Sequence, residues 1–126
     1  MIQPRLRWLS TSLLIFCFLP ANLLAARPPG AVIVIGFVGG FVHHTNAIHQ
    51  EVQLANHLRK DYPSGAEIRI FENHLGRQAY QEILRLVDTD HDGTLSATEK
   101  LDARIVLYGH SWGASEAVAI ARTLEK

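Results

Sequence analysis

The residue types best suited to chemistry lie in residues 109–113, which read Gly-His-Ser-Trp-Gly and match the pattern G-x-S-x-G. A short apolar run precedes them, and a helical pattern of small residues follows over residues 114–124. In this context the pattern is typical of a nucleophile elbow, a strained strand-to-helix turn that needs small residues two before and two after the serine. Such a turn lifts the Ser111 hydroxyl clear of the sheet and leaves the Trp112 N–H at a helix N-terminus, where the dipole favours an oxyanion. The alternative is a plain glycine turn.

A second motif occupies residues 88–99, which read Asp-Thr-Asp-His-Asp-Gly-Thr-Leu-Ser-Ala-Thr-Glu. This matches the EF-hand calcium loop, whose alternating side chains supply about six to eight oxygens to a hard cation. The predicted ligands are carboxylates, a backbone carbonyl (Thr94) and a hydroxyl acting directly or through water: Asp88, Asp90, Asp92, Thr94, Ser96 and Glu99. Gly93 permits the sharp turn at its usual position. We predict calcium as the cofactor, with a solvated acidic turn as the alternative.

The surroundings of this loop favour a structural role. Leu95 stands where such loops carry an apolar residue, and only residues 97–103 remain for the helix that leaves the loop. The sequence has no second loop of this kind to pair with it. We therefore expect a structural clip and not an opening sensor.

The remaining pattern alternates strands with helices. Strands of a parallel sheet are predicted over residues 31–37, 66–71 and 104–108; the first is expected to be buried on both faces, and the third is also expected to be buried. Helices are predicted from Asn46 as N-cap, from about Gly76, and over residues 114–124. In the first helix the apolar side is formed by Ile48, Val52, Ala55 and Leu58. This order predicts an α/β fold, a three-layer sandwich with helices on both faces of a parallel sheet.

The order of elements, together with the G-x-S-x-G pattern, resembles the central part of the α/β-hydrolase family over residues 31–126. The resemblance implies that Ser111 is the nucleophile and that the Trp112 N–H is one oxyanion donor. The second donor would come from the loop at residues 38–41, which contains Gly39 and Gly40. It also implies acyl transfer of the esterase or lipase type on a small-molecule ester. For the glycine-rich run, a turn that only packs a helix on a strand is an alternative, whereas the dinucleotide-binding pattern is not matched.

The sequence departs from the family where the triad should be completed. The family places an acid and then a histidine after the serine, but none of the seven histidines follows Ser111. We therefore expect an N-terminal fragment of a hydrolase-like domain that is inactive by itself. His43 and His44 lie in the same loop after the first predicted strand, which we call the glycine-rich loop. One of them could act as an alternative base; otherwise they line a pocket or face solvent. A second interpretation of the whole chain is a non-catalytic calcium-binding module with a vestigial Ser111.

Residues 1–26 have the three parts of a signal peptide. Arg5 and Arg7 precede an apolar run over residues 9–24, and Ala25 and Ala26 supply the small residues of a cleavage site. The alternative is an uncleaved membrane anchor, but the run is shorter than the roughly 20 residues of a membrane span, and Pro20 interrupts it. We predict an exported protein, periplasmic or extracellular, with residues 27–126 as a partial domain into which the loop at 88–99 is inserted.

Composition limits the partners of the mature chain. The whole sequence carries 12 basic and 12 acidic residues, and loss of Arg5 and Arg7 leaves a net charge of −2. This balance gives no reason to expect nucleic acid or, after cleavage, a membrane as partner. Cleavage also removes Cys17, so no disulfide is expected. The sequence predicts no oligomeric state.

Overall fold

The computed structural model describes residues 32–126, and the predicted signal peptide lies outside them. The strands and helices follow in this order: β1 (Val32–Val38), α1 (Gln50–Asp61), β2 (Ala66–Glu72), α2 (Gly76–Val87), α3 (Ala97–Asp102), β3 (Ile105–Gly109) and α4 (Trp112–Leu124). The sheet has the order β2-β1-β3, and both strand pairs are parallel. No helix within residues 32–126 is long and apolar enough to cross a membrane.

The core lies on both faces of the central strand β1. One face packs against α2 and α4 through a cluster of buried side chains: Ile33, Ile35, Phe37, Ala79, Ile83, Val87, Ala117 and Ile120. On the other face, Val34 packs with Ala55 of α1 and Ile68 of β2. The prediction of an α/β fold with a parallel sheet is therefore confirmed, with helices on both sides of the sheet.

The predicted start of the first helix is wrong. Helix α1 begins at Gln50 with His49 as its N-cap, whereas the Asn46 side chain accepts a hydrogen bond from the Ile48 N–H at 3.2 Å. Asparagine caps short turns in the same way as helices, so its presence alone does not mark a helix start. Ile48 precedes the helix and is 83% exposed, although its spacing predicted a place on the apolar side.

The predicted burial of the third strand is also wrong. Within residues 32–126, β3 pairs with β1 only, and it lies at the edge of the sheet. Val106 is half exposed although it stands in a continuous apolar run. It shares a face with its register partner Val34, and on that face α1 packs mainly on β1 and β2. Such a run is typical of a parallel strand covered on both faces, but it does not reveal whether a helix covers each face at that strand.

Substitution of one buried and one exposed isoleucine tests the position of the core. Ile83 is fully buried, so Ile83→Ala should lower the free energy of unfolding by about 2–5 kcal/mol, through lost burial and a cavity. The control Ile48→Ala removes the same atoms from an exposed position and should change stability by less than about 0.5 kcal/mol. Urea denaturation at a fixed calcium concentration measures both values. Equal losses in the two variants would contradict this packing.

Candidate functional site

Ser111 occupies the turn between β3 and α4. Its backbone has φ 55° and ψ −124°, a conformation that non-glycine residues rarely adopt. Holding a residue in such a region costs of order 1–3 kcal/mol and requires firm support from the surrounding structure. The predicted strand–turn–helix geometry with a strained serine is thus present at Ser111.

Two glycines allow the helix to approach the strands at this turn. A Cβ atom on Gly109 would lie 2.5 Å from the Gly113 carbonyl carbon. A Cβ atom on Gly113 would overlap the carbonyl oxygen of Phe37 in β1. Both contacts involve backbone atoms, which cannot rotate away as a side chain can. The small residues that the motif predicted are therefore required by close backbone packing.

The groups predicted to stabilise an oxyanion lie around the same turn. Trp112 is the first residue of α4, and its N–H donates no hydrogen bond within residues 32–126. A Cβ atom on Gly39 would lie 2.5 Å from the His110 carbonyl oxygen and 3.3 Å from the Ser111 Cβ. Gly40 follows with φ 64°, and the space around it is open. The glycine-rich loop after β1 therefore lies directly against the serine turn.

Exposed side chains surround Ser111. The Phe41 ring meets the Trp112 ring edge-on with centroids 5.6 Å apart, and both side chains are exposed. His110 is also exposed, and its Nδ1 lies 3.9 Å from the Glu51 carboxylate. An open cleft of about 330 Å³ is lined by Ile48, His49, Gln50, Glu51 and His110. This cleft reaches the serine turn through His110, and Ser111 itself does not line it.

The two histidines of the glycine-rich loop pair with a carboxylate of β2. His44 contacts Glu72 Oε1 twice, from Nδ1 at 2.6 Å and from its backbone N–H at 3.1 Å. Burial opposes ionisation of Glu72, but these hydrogen bonds outweigh it and lower its pKa to about 2. His43 Nε2 lies 3.6 Å from the same oxygen. The hydrogen bonds of the His43 and His44 rings within residues 32–126 involve Thr45 and Glu72, so neither histidine ring is joined to the Ser111 hydroxyl.

Glu72 is a candidate functional residue that lies outside the sequence motifs. Residues 66–71 were predicted as a strand, and Glu72 was not identified as a functional residue beyond its end. The register pairs Glu72 with Val38, so the end of β2 lies beside the point where the glycine-rich loop begins. The position of Glu72 is indicated by a general rule: the carboxyl ends of neighbouring parallel strands meet at one edge of a sheet, so a residue at the end of β2 lies near the loop that follows β1.

The predicted calcium loop brings three carboxylates together. Oxygens of Asp88, Asp90 and Glu99 all lie within 4.8 Å of one another. Asp88 forms the C-cap of α2 and is buried, and its Oδ2 accepts a hydrogen bond from the Gly93 N–H at 2.8 Å. Its Oδ1 is buried without any partner. Buried polar atoms are nearly always satisfied, so this lone carboxylate oxygen fits a bound cation.

Asp92 is not part of that carboxylate cluster, and the Ser96 hydroxyl contacts the cluster through Glu99 Oε2 at 2.9 Å. Asp92 Oδ1 accepts hydrogen bonds from the Thr94 N–H and hydroxyl, both at 2.8 Å. The Ser96 hydroxyl and Glu99 form a capping box at the start of α3. His91 and Gly93 both have positive φ, at 60° and 84°, and they turn the loop back towards Asp88.

The carboxylates of the loop are crowded. The Thr89 and Ser96 N–H groups stabilise charged Glu99 and lower its pKa to about 2. The Asp92 N–H likewise favours charged Asp90, but burial, the hydrogen bond shared with Asp88 and the nearby negative charges together raise the pKa of Asp90. Like charges this close repel each other, and a divalent cation would remove the repulsion.

Comparisons of the chain with protein-family models, with curated proteins and with solved structures give no match. The functional interpretation therefore depends on the geometry of the serine turn and of the acidic loop.

The close packing at the serine turn can be tested with two glycines. Gly113→Ala should destabilise the fold by about 1–3 kcal/mol, because the new methyl group would overlap the Phe37 carbonyl and force the backbone to shift. The control Gly65→Ala adds the same methyl group where no atom lies within 4 Å, and should be neutral or slightly stabilising. Thermal melting compares the two. An unaffected Gly113 variant would show that α4 does not contact β1 in this way.

Proposed function

We propose that this chain carries the nucleophile part of an exported serine hydrolase of the esterase or lipase type. The observation that carries the proposal is the backbone of Ser111, held at φ 55° and ψ −124° between a parallel strand and a helix. Strain of this kind persists where the surrounding structure imposes it, and it is concentrated at active sites. A turn that only connected β3 to α4 would have no need of it.

The proposed reaction is acyl transfer from a small-molecule ester. The Ser111 oxygen attacks the ester carbonyl and gives a tetrahedral intermediate, which collapses to an acyl-enzyme as the alcohol leaves. The Trp112 N–H and an N–H of the loop containing Gly39 and Gly40 stabilise the oxyanion. Water then hydrolyses the acyl-enzyme and releases the acid.

The reaction also needs a base for the Ser111 proton, because a serine without one is a weak nucleophile. No histidine follows Ser111 in the sequence. We propose that the acid and the base come from residues beyond Lys126, so that residues 27–126 form part of a larger hydrolase-like domain.

In the same proposal, calcium binds the loop at residues 88–99 and acts on structure alone. Asp88, Asp90 and Glu99 are the ligands that already converge, and Asp92, Thr94 and Ser96 complete the set by adjustment of the loop. The ion supplies positive charge that offsets the repulsion of the carboxylates. The loop lies before β3, whose five residues span about 17 Å. Calcium would therefore fix the start of β3 without touching a substrate at its far end.

A second candidate function is a non-catalytic calcium-binding module on the same scaffold. The observation that favours it is that the rings of His43 and His44 hydrogen-bond to Thr45 and Glu72 and not to Ser111 within residues 32–126. In this alternative the ion stabilises the fold in the same way, and Ser111 has no chemical role.

Labelling of Ser111 distinguishes the two functions. The product of the reading frame extended past Lys126 should react with a fluorophosphonate probe and hydrolyse short esters, whereas residues 27–126 alone should not. Ser111→Ala should abolish labelling and lower the rate by up to about 10⁶-fold, as loss of a nucleophile does in comparable triads. The control Ser115→Ala changes an exposed serine of the same helix and should retain full activity. An extended protein that neither labels nor hydrolyses would support the non-catalytic module.

Calcium should stabilise the folded protein by mass action, because the carboxylates converge only when the loop is formed. The expected gain is about 2.7 kcal/mol at a calcium concentration 100 times the dissociation constant. Asp88→Asn should remove most of this gain, whereas the control Asp102→Asn changes an exposed carboxylate of α3 and should keep it. Thermal melting with calcium and with chelator measures the difference. Coincident curves at roughly millimolar calcium, where weak extracellular sites are filled, would contradict the site.

A further inference from the structure

A second group of side chains that could hold a metal ion precedes the acidic loop in the sequence. His43 and His44 follow β1, and Glu72 is the last residue of β2. One ligand atom of each lies within 4.8 Å of the other two. The measured separations are 2.6 Å from His44 Nδ1 to Glu72 Oε1 and 3.6 Å from His43 Nε2 to the same oxygen.

The donor set of this group differs in kind from that of the acidic loop. Calcium takes oxygen ligands, whereas two imidazole nitrogens with one carboxylate suit zinc and related divalent transition metals. Three protein ligands leave a fourth tetrahedral position for water or a substrate. The group therefore selects a different ion from the loop at residues 88–99.

The distances from the two histidines to Glu72 lie near those of tetrahedral zinc, and the donor atoms of His43 and His44 lie within 4.8 Å of each other. With zinc–ligand distances near 2.0–2.1 Å, neighbouring donor atoms are about 3.3 Å apart. The contact between His43 and Glu72 is within a few tenths of an ångström of that value. The contact between His44 and Glu72 is a hydrogen bond that must open by about 0.7 Å. His44 is partly exposed, and its ring can move by that amount without disturbing the core.

The His43 ring is oriented by contacts beyond the pairing of His44 with Glu72. Its ring stacks on that of His44 with centroids 4.4 Å apart. Its Nδ1 lies 2.7 Å from the Thr45 hydroxyl, which can accept from it, and 3.3 Å from the Thr45 backbone N–H, which can only donate to it. Metal-binding histidines typically donate from their second nitrogen, so a metal on Nε2 requires the tautomer in which Nδ1–H donates to the Thr45 hydroxyl and the longer contact is given up. Here the other nitrogen, Nε2, is the one that faces Glu72.

We propose that His43, His44 and Glu72 form a binding site for a divalent transition-metal ion, with zinc as the best fit. The ion joins the glycine-rich loop after β1 to the end of β2, and so fixes the loop that carries Gly39 and Gly40. This proposal stands independently of the serine hydrolase and of calcium binding. A bound metal would also hold the loop in place if Ser111 had no chemical role.

Cobalt provides a direct test, since it replaces zinc and its visible absorption reports the coordination. The full chain, saturated with calcium so that the acidic loop is filled, should bind one cobalt ion with the intense bands of a low-coordinate site, and zinc should displace it. His44→Ala should weaken binding by more than about 100-fold, since removal of an outer partner alone costs 10–100-fold. The control His57→Ala changes an exposed histidine of α1 and should bind as the unaltered chain does.

His43→Ala is the second variant, because its exposed side chain can be removed without loss of the fold. It should lose the cobalt bands while calcium still raises its melting temperature. Cobalt bands that survive in both His43→Ala and His44→Ala would overturn the proposal. An equal loss of the bands in His57→Ala would also overturn it, because it would show that scattered surface histidines bind the cobalt. Failure of cobalt to bind the calcium-loaded chain would overturn it as well, and would leave the serine hydrolase untouched.

Discussion

The contact between the start of α4 and the backbone of β1 determines the rest of this structure. Gly113 lies so close to the Phe37 carbonyl that no side chain fits between them, and the chain must therefore reverse sharply within Ser111. That reversal accounts for the strained serine and for the free Trp112 N–H. It also seats Ala117 and Ile120 of α4 on the same face of β1 as α2. Core packing and serine geometry are thus consequences of one close approach.

Much of this arrangement could be predicted from local patterns. The β-branched run of β1, the start of α2 at Gly76 and the glycines at 109 and 113 each constrain their own neighbourhood strongly. The errors have a common cause, which is dependence on residues far along the chain. Asn46 is as suitable for a turn as for a helix cap, and the pairing of His44 with Glu72 depends on the register of β2 against β1. For the acidic loop, the motif identified the ligand types, but not that Asp92 would bond to Thr94.

The acidic loop is attached to the core at both of its ends. Asp88 caps the last turn of α2, whose residue Val87 belongs to the buried cluster. In the middle of the loop, Leu95 packs against the same cluster. Glu99 closes the loop through the capping box of α3, which leads directly into β3. An ion held here would therefore act on the packing of α2 and on the position at which β3 begins, which is how a structural clip works.

Two segments that lack regular structure of their own lie at opposite ends of β3. At the serine turn, the glycine-rich loop is held to β2 by the contacts of His44 with Glu72, and it presses Gly39 against the turn. At the other end of β3, the acidic loop leads through α3 into the strand that ends at Ser111. Irregular loops are normally the most mobile parts of a domain, and a strained residue relaxes when its neighbours move. The contacts of His44 with Glu72 hold the loop that lies against Ser111, whereas an ion in the acidic loop would act at the opposite end of β3, on the position at which that strand begins.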